Sequence, residues 1–243
     1  MIPVDSLLYK IDLKLNKLSS NEHQQIQLEN KILALNEAQI KLIKQKLDGQ
    51  NTVSGLGFDA FKKRYEDLEK LIENYEDHPL DLIETNKVLH KWTASLSGVS
   101  PAYMFYVDSY ILADKGKCKN RRVKINPDLA RHGDIQILLE NDHTKPSFEY
   151  QETFNIIASD EISIFTDGSF LPSKLYLSYI RYPQYIDKAG YIKLDNTPST
   201  DVDCELKNYL EDELVDLAVE NLAMYTENTS AAQSAQFRIK TDE

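Results

Sequence analysis

The chain has 243 residues, with 28 lysines and arginines against 39 aspartates and glutamates, for a formal net charge of −11. Hydrophobic residues make up 42% and charged residues 28%, a balance that excludes disorder over the whole chain, and no apolar run is long enough to suggest a membrane-spanning helix. The acid excess also argues against a protein that grips nucleic acid by bulk charge, because that grip needs clustered cations.

The N-terminal sequence MIPVDSLLYKIDLKL lacks the long apolar core of a signal peptide, so a soluble protein made in a cytoplasm is expected. Val4, Leu7, Leu8, Ile11, Leu15 and Leu18 fall on one helical stripe, with Asp5 placed to cap its start. Ile32, Leu35, Gln39 and Leu42 mark a second helix over residues 29–48, widened by Ile43 and Leu47 and closed by Gly49. Phe58, Phe61, Tyr65, Leu68, Leu71, Ile72 and Tyr75 form a third periodic stripe. Residues 1–97 are therefore expected to be helical.

Near Gly98 the composition turns aromatic and β-branched. AYMFYVDSYILA (102–113) and CKNRRVKI (118–125) read as a β-hairpin, and DIQILLEND (134–142) as a short helix. Phe154 to Ile157 and Ile162 to Phe165 read as paired strands turning around Asp160; Asp167-Gly168 is a turn, and Phe170 to Tyr182 the longest strand. Residues 98–202 form the β-rich part. Thr200-x-x-Asp203 has the form of a capping box opening a long C-terminal helix over 203–227, with Leu206, Leu210, Leu214, Leu217, Ala218, Asn221 and Tyr225 on its stripe. Residues 228–243 read as an extended polar tail. The fold class expected is α+β, with N- and C-terminal helices around a mostly antiparallel sheet region.

Each candidate chemistry meets a plainer reading. GLGFDA (55–60) has the spacing of a dinucleotide fingerprint, but a charged helix precedes it where a buried strand is required, so a helix–helix joint at Gly55 and Gly57 is favoured. His132-Gly-Asp134 and Asn141-Asp142-His143 read as capping and turn residues rather than cation ligands. Cys118 and Cys204 have no metal-type spacing. Glu211-Asp212-Glu213 reads as a solvated helix face. No catalytic set is found, and no cofactor or metal is expected. Lys115, Lys117, Lys119, Arg121, Arg122 and Lys124 concentrate positive charge on the first hairpin, which fits an acidic neighbouring subunit, a guarded sheet edge or nucleic acid. Fourteen tyrosines against one tryptophan suit half-wet contacts between subunits, and equally the outer faces of sheets.

From Lys145 onward the order of features resembles a phage family. KPSF, a strand pair ending ISIFTDGSF, LYLSYIRYPQYID and then DVDCEL before a long helix and polar tail are similar to head–tail connector proteins of tailed bacteriophages, above all the ring (tail adaptor) proteins of crAss-like phages. The resemblance implies a virion structural protein at the head–tail junction, forming a ring, typically twelve-fold, below the portal. Its partners would be copies of itself, the portal, neighbouring tail ring proteins, and DNA passing through the channel without sequence-specific binding. Tyr179, Arg181 and Tyr182 on the strand and Phe237, Arg238 and Ile239 in the tail would then be subunit or portal contacts, together with the basic hairpin. The tail would order on docking. Two other readings stand beside it: a nucleotide-binding enzyme using the glycine turn, and a DNA-binding regulator using the basic hairpin.

Overall fold

The computed structural model describes residues 1–16, 26–48, 66–74, 79–115, 122–193, 196–225 and 236. The chain divides into two compact units, one of Met1–Leu71 with Pro183–Glu243 and one of Ile72–Tyr182. Helices lie at both ends of the chain and mostly antiparallel strands between them, so the class is α+β. The glycine turn at 55–60, Gly49 and nearly all of the tail lie outside the described residues.

The first unit is helical. Helix α1 (Val4–Asn16) buries Val4, Leu7, Ile11 and Leu15, the predicted stripe. Its cap is not Asp5: Oδ1 of Asp203 accepts the Val4 amide at 3.0 Å, and Asp5 pairs instead with Lys188 at 2.9 Å. Helix α2 (Leu28–Asp48) buries Ile32, Leu35, Gln39, Leu42 and Ile43. The third periodic stripe lies largely outside the described residues; its end is helical from Glu66 to Leu68, then a 3-10 helix at Glu69–Leu71.

The C-terminal helix starts later than the capping-box reading expects. Residues 200–207 run without helix and make isolated bridges, Val202 with Asp187 and Cys204 with Ile2. A 3-10 helix at Asn208–Leu210 then leads into the last regular helix described, Glu211–Tyr225. With Asp203 engaged on α1 and the flanking backbone paired, nothing remains there to cap a helix at Thr200.

The second unit holds two five-stranded sheets. In the first, β1 (Ile72–Asn74), β10 (Leu171–Arg181), β5 (Tyr103–Asp114) and β6 (Arg122–Ile125) lie in that order, and β2 (Leu80–Asp81) also pairs with β10. In the second the order is β3 (Ile83–Asn86), β4 (Lys91–Ser95), β9 (Glu161–Phe165), β8 (Phe154–Ala158) and β7 (Asp128–Leu129). Every pairing is antiparallel except β7 with β8. The predicted hairpins at β5–β6 and β8–β9 are present, the latter closed by Ser159 and Asp160 with φ of 51° and 59°, a turn whose twist matches the strands. At Gly168, φ is +78° and an added Cβ would lie 2.7 Å from Nε2 of His90, so this turn needs glycine.

Two expectations change. Strand structure begins at Ile72, inside the segment read as helical, because β1 to β4 are only two to five residues long and too short to show alternation. At 12 residues, β5 is also one longer than β10.

One core joins the two sheets: Ile111, Ala113, Ile125, Leu175, Leu177 and Tyr179 from the first, and Ala94, Ile162 and Ile164 from the second, with Phe148 and Phe170 between them. A smaller cluster of Phe154, Ile156 and Phe165 is covered by Ile135, Leu138 and Leu139 of helix α3 (Ile135–Glu140), the short helix expected there. The last helix, Glu211–Tyr225, becomes α4.

Candidate assembly surfaces

The strand expected to carry the contact surface is central, not marginal. β10 lies between β5 on one side and β1 and β2 on the other. Its ladder with β5 shifts register between Ser178 and Tyr179 and again between Ile180 and Arg181. These irregularities break the simple alternation, so that Leu177, Tyr179 and Ile180 are all buried. Tyr179 is 0% exposed, its ring against Tyr103 and its hydroxyl donating to the Pro101 carbonyl at 2.8 Å. Within its unit it is a core residue with its polar tip satisfied internally. Arg181 is half-buried and donates to Glu73 at 3.0 Å. Tyr182 is 50% exposed, with its amide bonded to the Ala102 carbonyl as the last rung before Pro183 ends the strand. Of the three, it alone presents its ring to solvent.

Of the basic hairpin, Lys117, Lys119 and Arg121 lie outside the described residues. Arg122 pairs with Asp114 at 3.3 Å, Lys115 with Glu149 at 2.9 Å, and Lys124 sits 3.8 Å above the Tyr110 ring, which stacks on Tyr176. The described cations of this hairpin are therefore matched within their own unit. Phe237, Arg238 and Ile239 also lie outside the described residues; Gln236 donates to Oε1 of Glu220 at 3.0 Å.

The acidic start of α4 is only partly the solvated face expected: Asp212 is exposed, while Glu211 and Glu213 are half-buried. Glu211 and Asp212 receive Lys10 at 3.0 and 2.8 Å, and Glu213 receives Lys46 at 2.8 Å. The bond from Lys10 holds the Asp212 carboxyl below its ordinary range. Deeper along the helix, Asp216 meets Lys14 at 2.9 Å and Glu220 meets Lys41 at 2.8 Å. The lysines of α1 and α2 thus pair with the acids of α4, a long-range match that position along the chain does not reveal.

Sequence reasoning also missed Asp187, at the end of YIRYPQYID. It is 1% exposed and accepts from Tyr191 at 2.7 Å, from the amides of Lys188 and Thr200 at 2.9 and 3.2 Å, and from Lys193 at 2.8 Å. Burial alone would raise its pKa, but these donors outweigh it and hold the carboxyl below its usual value. The same burial, with Asp187 as acceptor, pushes the Tyr191 hydroxyl up. Four donors on one carboxylate make a fold anchor rather than a reactive site. Cys204 is similar: burial pushes its thiol up to about 11, leaving it a protonated core residue. His132 bonds the Ile157 carbonyl at 3.1 Å, and Asn141 accepts the His143 amide at 3.0 Å, which are turn roles.

Exposed apolar side chains sit elsewhere. Ile83 on the edge strand β3 and Val88 and Leu89 in the turn after it are 68%, 87% and 44% exposed, and Leu129 on β7 and Ile137 on α3 are 56% and 65% exposed. The family model described as phage tail ring protein 3/4, of the crAss-like group, matches residues 6–235. A search of curated proteins finds no match.

Proposed function

Because the chain belongs to the crAss-like phage tail ring protein 3/4 family, we propose that it forms a closed ring of identical subunits below the portal, joining capsid to tail and lining the path of the DNA. A virion structural role, ring oligomers and neighbouring phage proteins follow from the family itself. The observation that carries the finer reading is the match over residues 6–235, which takes in the helical unit and the β unit together. Ring building by identical chains needs a heterologous interface that closes, so each subunit must carry two different complementary faces. The net charge of −11 supports a channel wall over which DNA slides without sticking. No helix among the described residues is long and apolar enough to cross a membrane. Synthesis in the host cytoplasm and a purely structural, non-catalytic role complete the reading.

A DNA-binding regulator is less well supported, since Lys115, Arg122 and Lys124 are matched within the unit. Electron microscopy of the purified chain, alone and mixed with its portal, tests the proposal. Rings that stack on the portal are expected. A particle that stays monomeric and binds neither portal nor tail proteins overturns it.

A further inference from the structure

The second sheet of the β unit ends in two different edge strands, β3 and β7, and neither has a neighbour on its outer side among the described residues. We propose that β3 of one copy pairs antiparallel with β7 of the next, so that the sheet runs on from subunit to subunit around the ring. The inference rests on the ring reading and assigns its interface.

Strand direction supports it first. From β3 the order runs antiparallel to β4, β9 and β8, and then parallel from β8 to β7. β3 and β7 therefore point in opposite directions within one sheet. Copies that all face the same way, as a ring in a polar tail requires, bring β3 beside β7 of the next subunit in antiparallel sense. Had β7 paired antiparallel with β8, the continuation would be parallel. The backbone at β7 is also prepared for pairing: the amides of Asp128 and Ala130 donate to the carbonyls of Thr153, just before β8, and Asn155 on β8, so the alternate groups at Leu129 point to the open side. Arg131 continues the extended conformation at φ −85° and ψ 146°.

Charge supports it independently. In antiparallel register, placing Lys87 opposite Asp128 also places Glu84 opposite Arg131. In parallel register the same segments would set Glu84 against Asp128 and Lys87 against Arg131. None of these four residues has an ion-pair partner among the described residues, in contrast to the matched cations of the β5–β6 hairpin. Lys87, Asp128 and Arg131 are exposed. Exposed Val88 and Leu129 would add apolar contact at the same seam. The hairpin tip that presents Lys87 and Val88 is preorganised, because Oδ1 of Asn86 accepts the amides of Val88 and Leu89 at 2.9 and 3.2 Å. Charged residues on an edge ordinarily prevent pairing, and like edges could also match Glu84 with Lys87. That contact, however, relates copies by a twofold and inverts every second subunit, which a polar ring excludes.

The test uses K87E and D128K in the full chain, followed by mass photometry and electron microscopy. Each variant alone sets like charges across the seam, and we expect each to need roughly tenfold more protein to form rings, or to form none, with an unchanged melting temperature. An equimolar mixture of the two should recover rings. In alternating order, the new carboxylate of K87E faces the new ammonium of D128K at one seam, and the unaltered Lys87 faces the unaltered Asp128 at the next. The doubly substituted chain should recover as well. Single variants that assemble like the wild type, or folded variants whose mixture stays unassembled, overturn the proposal while leaving the ring reading intact. If the wild type assembles only with its tail partners, K87C/D128C is used in assembled tails. Direct antiparallel neighbours come within disulfide reach, so oxidation should give a ladder of covalent multimers that K87C and D128C alone do not. Rings that contain the chain but give no ladder refute the edge pairing alone; tails in which the chain forms no ring refute both.

Discussion

Asp187 shows how one side chain can hold a segment whose sequence pointed elsewhere. YIRYPQYID drew attention through its tyrosines and Arg181, yet its end is a carboxylate that ties together residues 187 to 200 through Tyr191, Lys193 and the Lys188 and Thr200 amides. Replacing it in D187N keeps the volume but offers donors to donors, and should lower the stability of its unit by about 2–3 kcal/mol in urea or thermal unfolding. The pH dependence has a fixed sign. The folded-state pKa lies below the unfolded one, so the contribution is complete at neutral pH and is lost as pH falls through the folded value. The gap between wild type and D187N should therefore narrow on acidification below the ordinary carboxylate range; a gap that widens would mean that the charged form is not the stabilising one. The donors lie within 13 residues of Asp187 in the chain, but only the folded loop shows that they converge. Tyr179 carries the complementary lesson. Nothing local in its strand showed that Tyr179 lies in the shared core of two sheets.

At the scale of elements, periodicity was legible where elements are long. The stripes of α1 and α2 are the buried faces, and Leu214, Leu217 and Ala218 are buried on α4 as expected. What failed was the polar side of α4. Val215, Asp216, Val219 and Glu220 are buried too, so this helix is enclosed on nearly all sides and its acids meet lysines instead of water. No local pattern reveals that Asp216 lies 2.9 Å from Lys14, because the partner is about two hundred residues away. A buried pair of this kind costs more to break than to replace. K14A should destabilise the helical unit by about 3 kcal/mol by removing the cation paired with the buried Asp216 carboxylate. K14M/D216L should cost far less than the sum of its single substitutions. Equilibrium unfolding of the four chains forms a double-mutant cycle; additive effects would show that the pair is not coupled. The strands β1 to β4 were missed for a different reason, since elements of two to five residues end before alternation can establish itself.

For the whole molecule, the family was legible in the order of features from Lys145 onward, and the match extends it to residues 6–235. The surfaces that would build the ring were not legible, because edge strands are defined by what does not pair with them, a property of the sheet and not of β3 or β7 alone. The tail can be tested against the helical unit. Gln236 contributes one bond to Glu220, whose other oxygen is held by Lys41 at 2.8 Å. Among the described residues, deleting residues 226–243 removes that one amide bond and leaves the carboxylate paired, so the melting temperature should fall by no more than about 2–4 °C. If the tail supplies the portal contact, the same deletion should abolish co-sedimentation with the portal while rings of the truncated chain still form. The separation follows from where each interaction sits: α4 packs against α1 and α2, and the β3–β7 seam lies in the other unit. A large loss of thermal stability would place residues 226–243 in the core of the helical unit, and portal binding at full strength would move the docking surface elsewhere, with half-exposed Tyr182 the next residue to substitute.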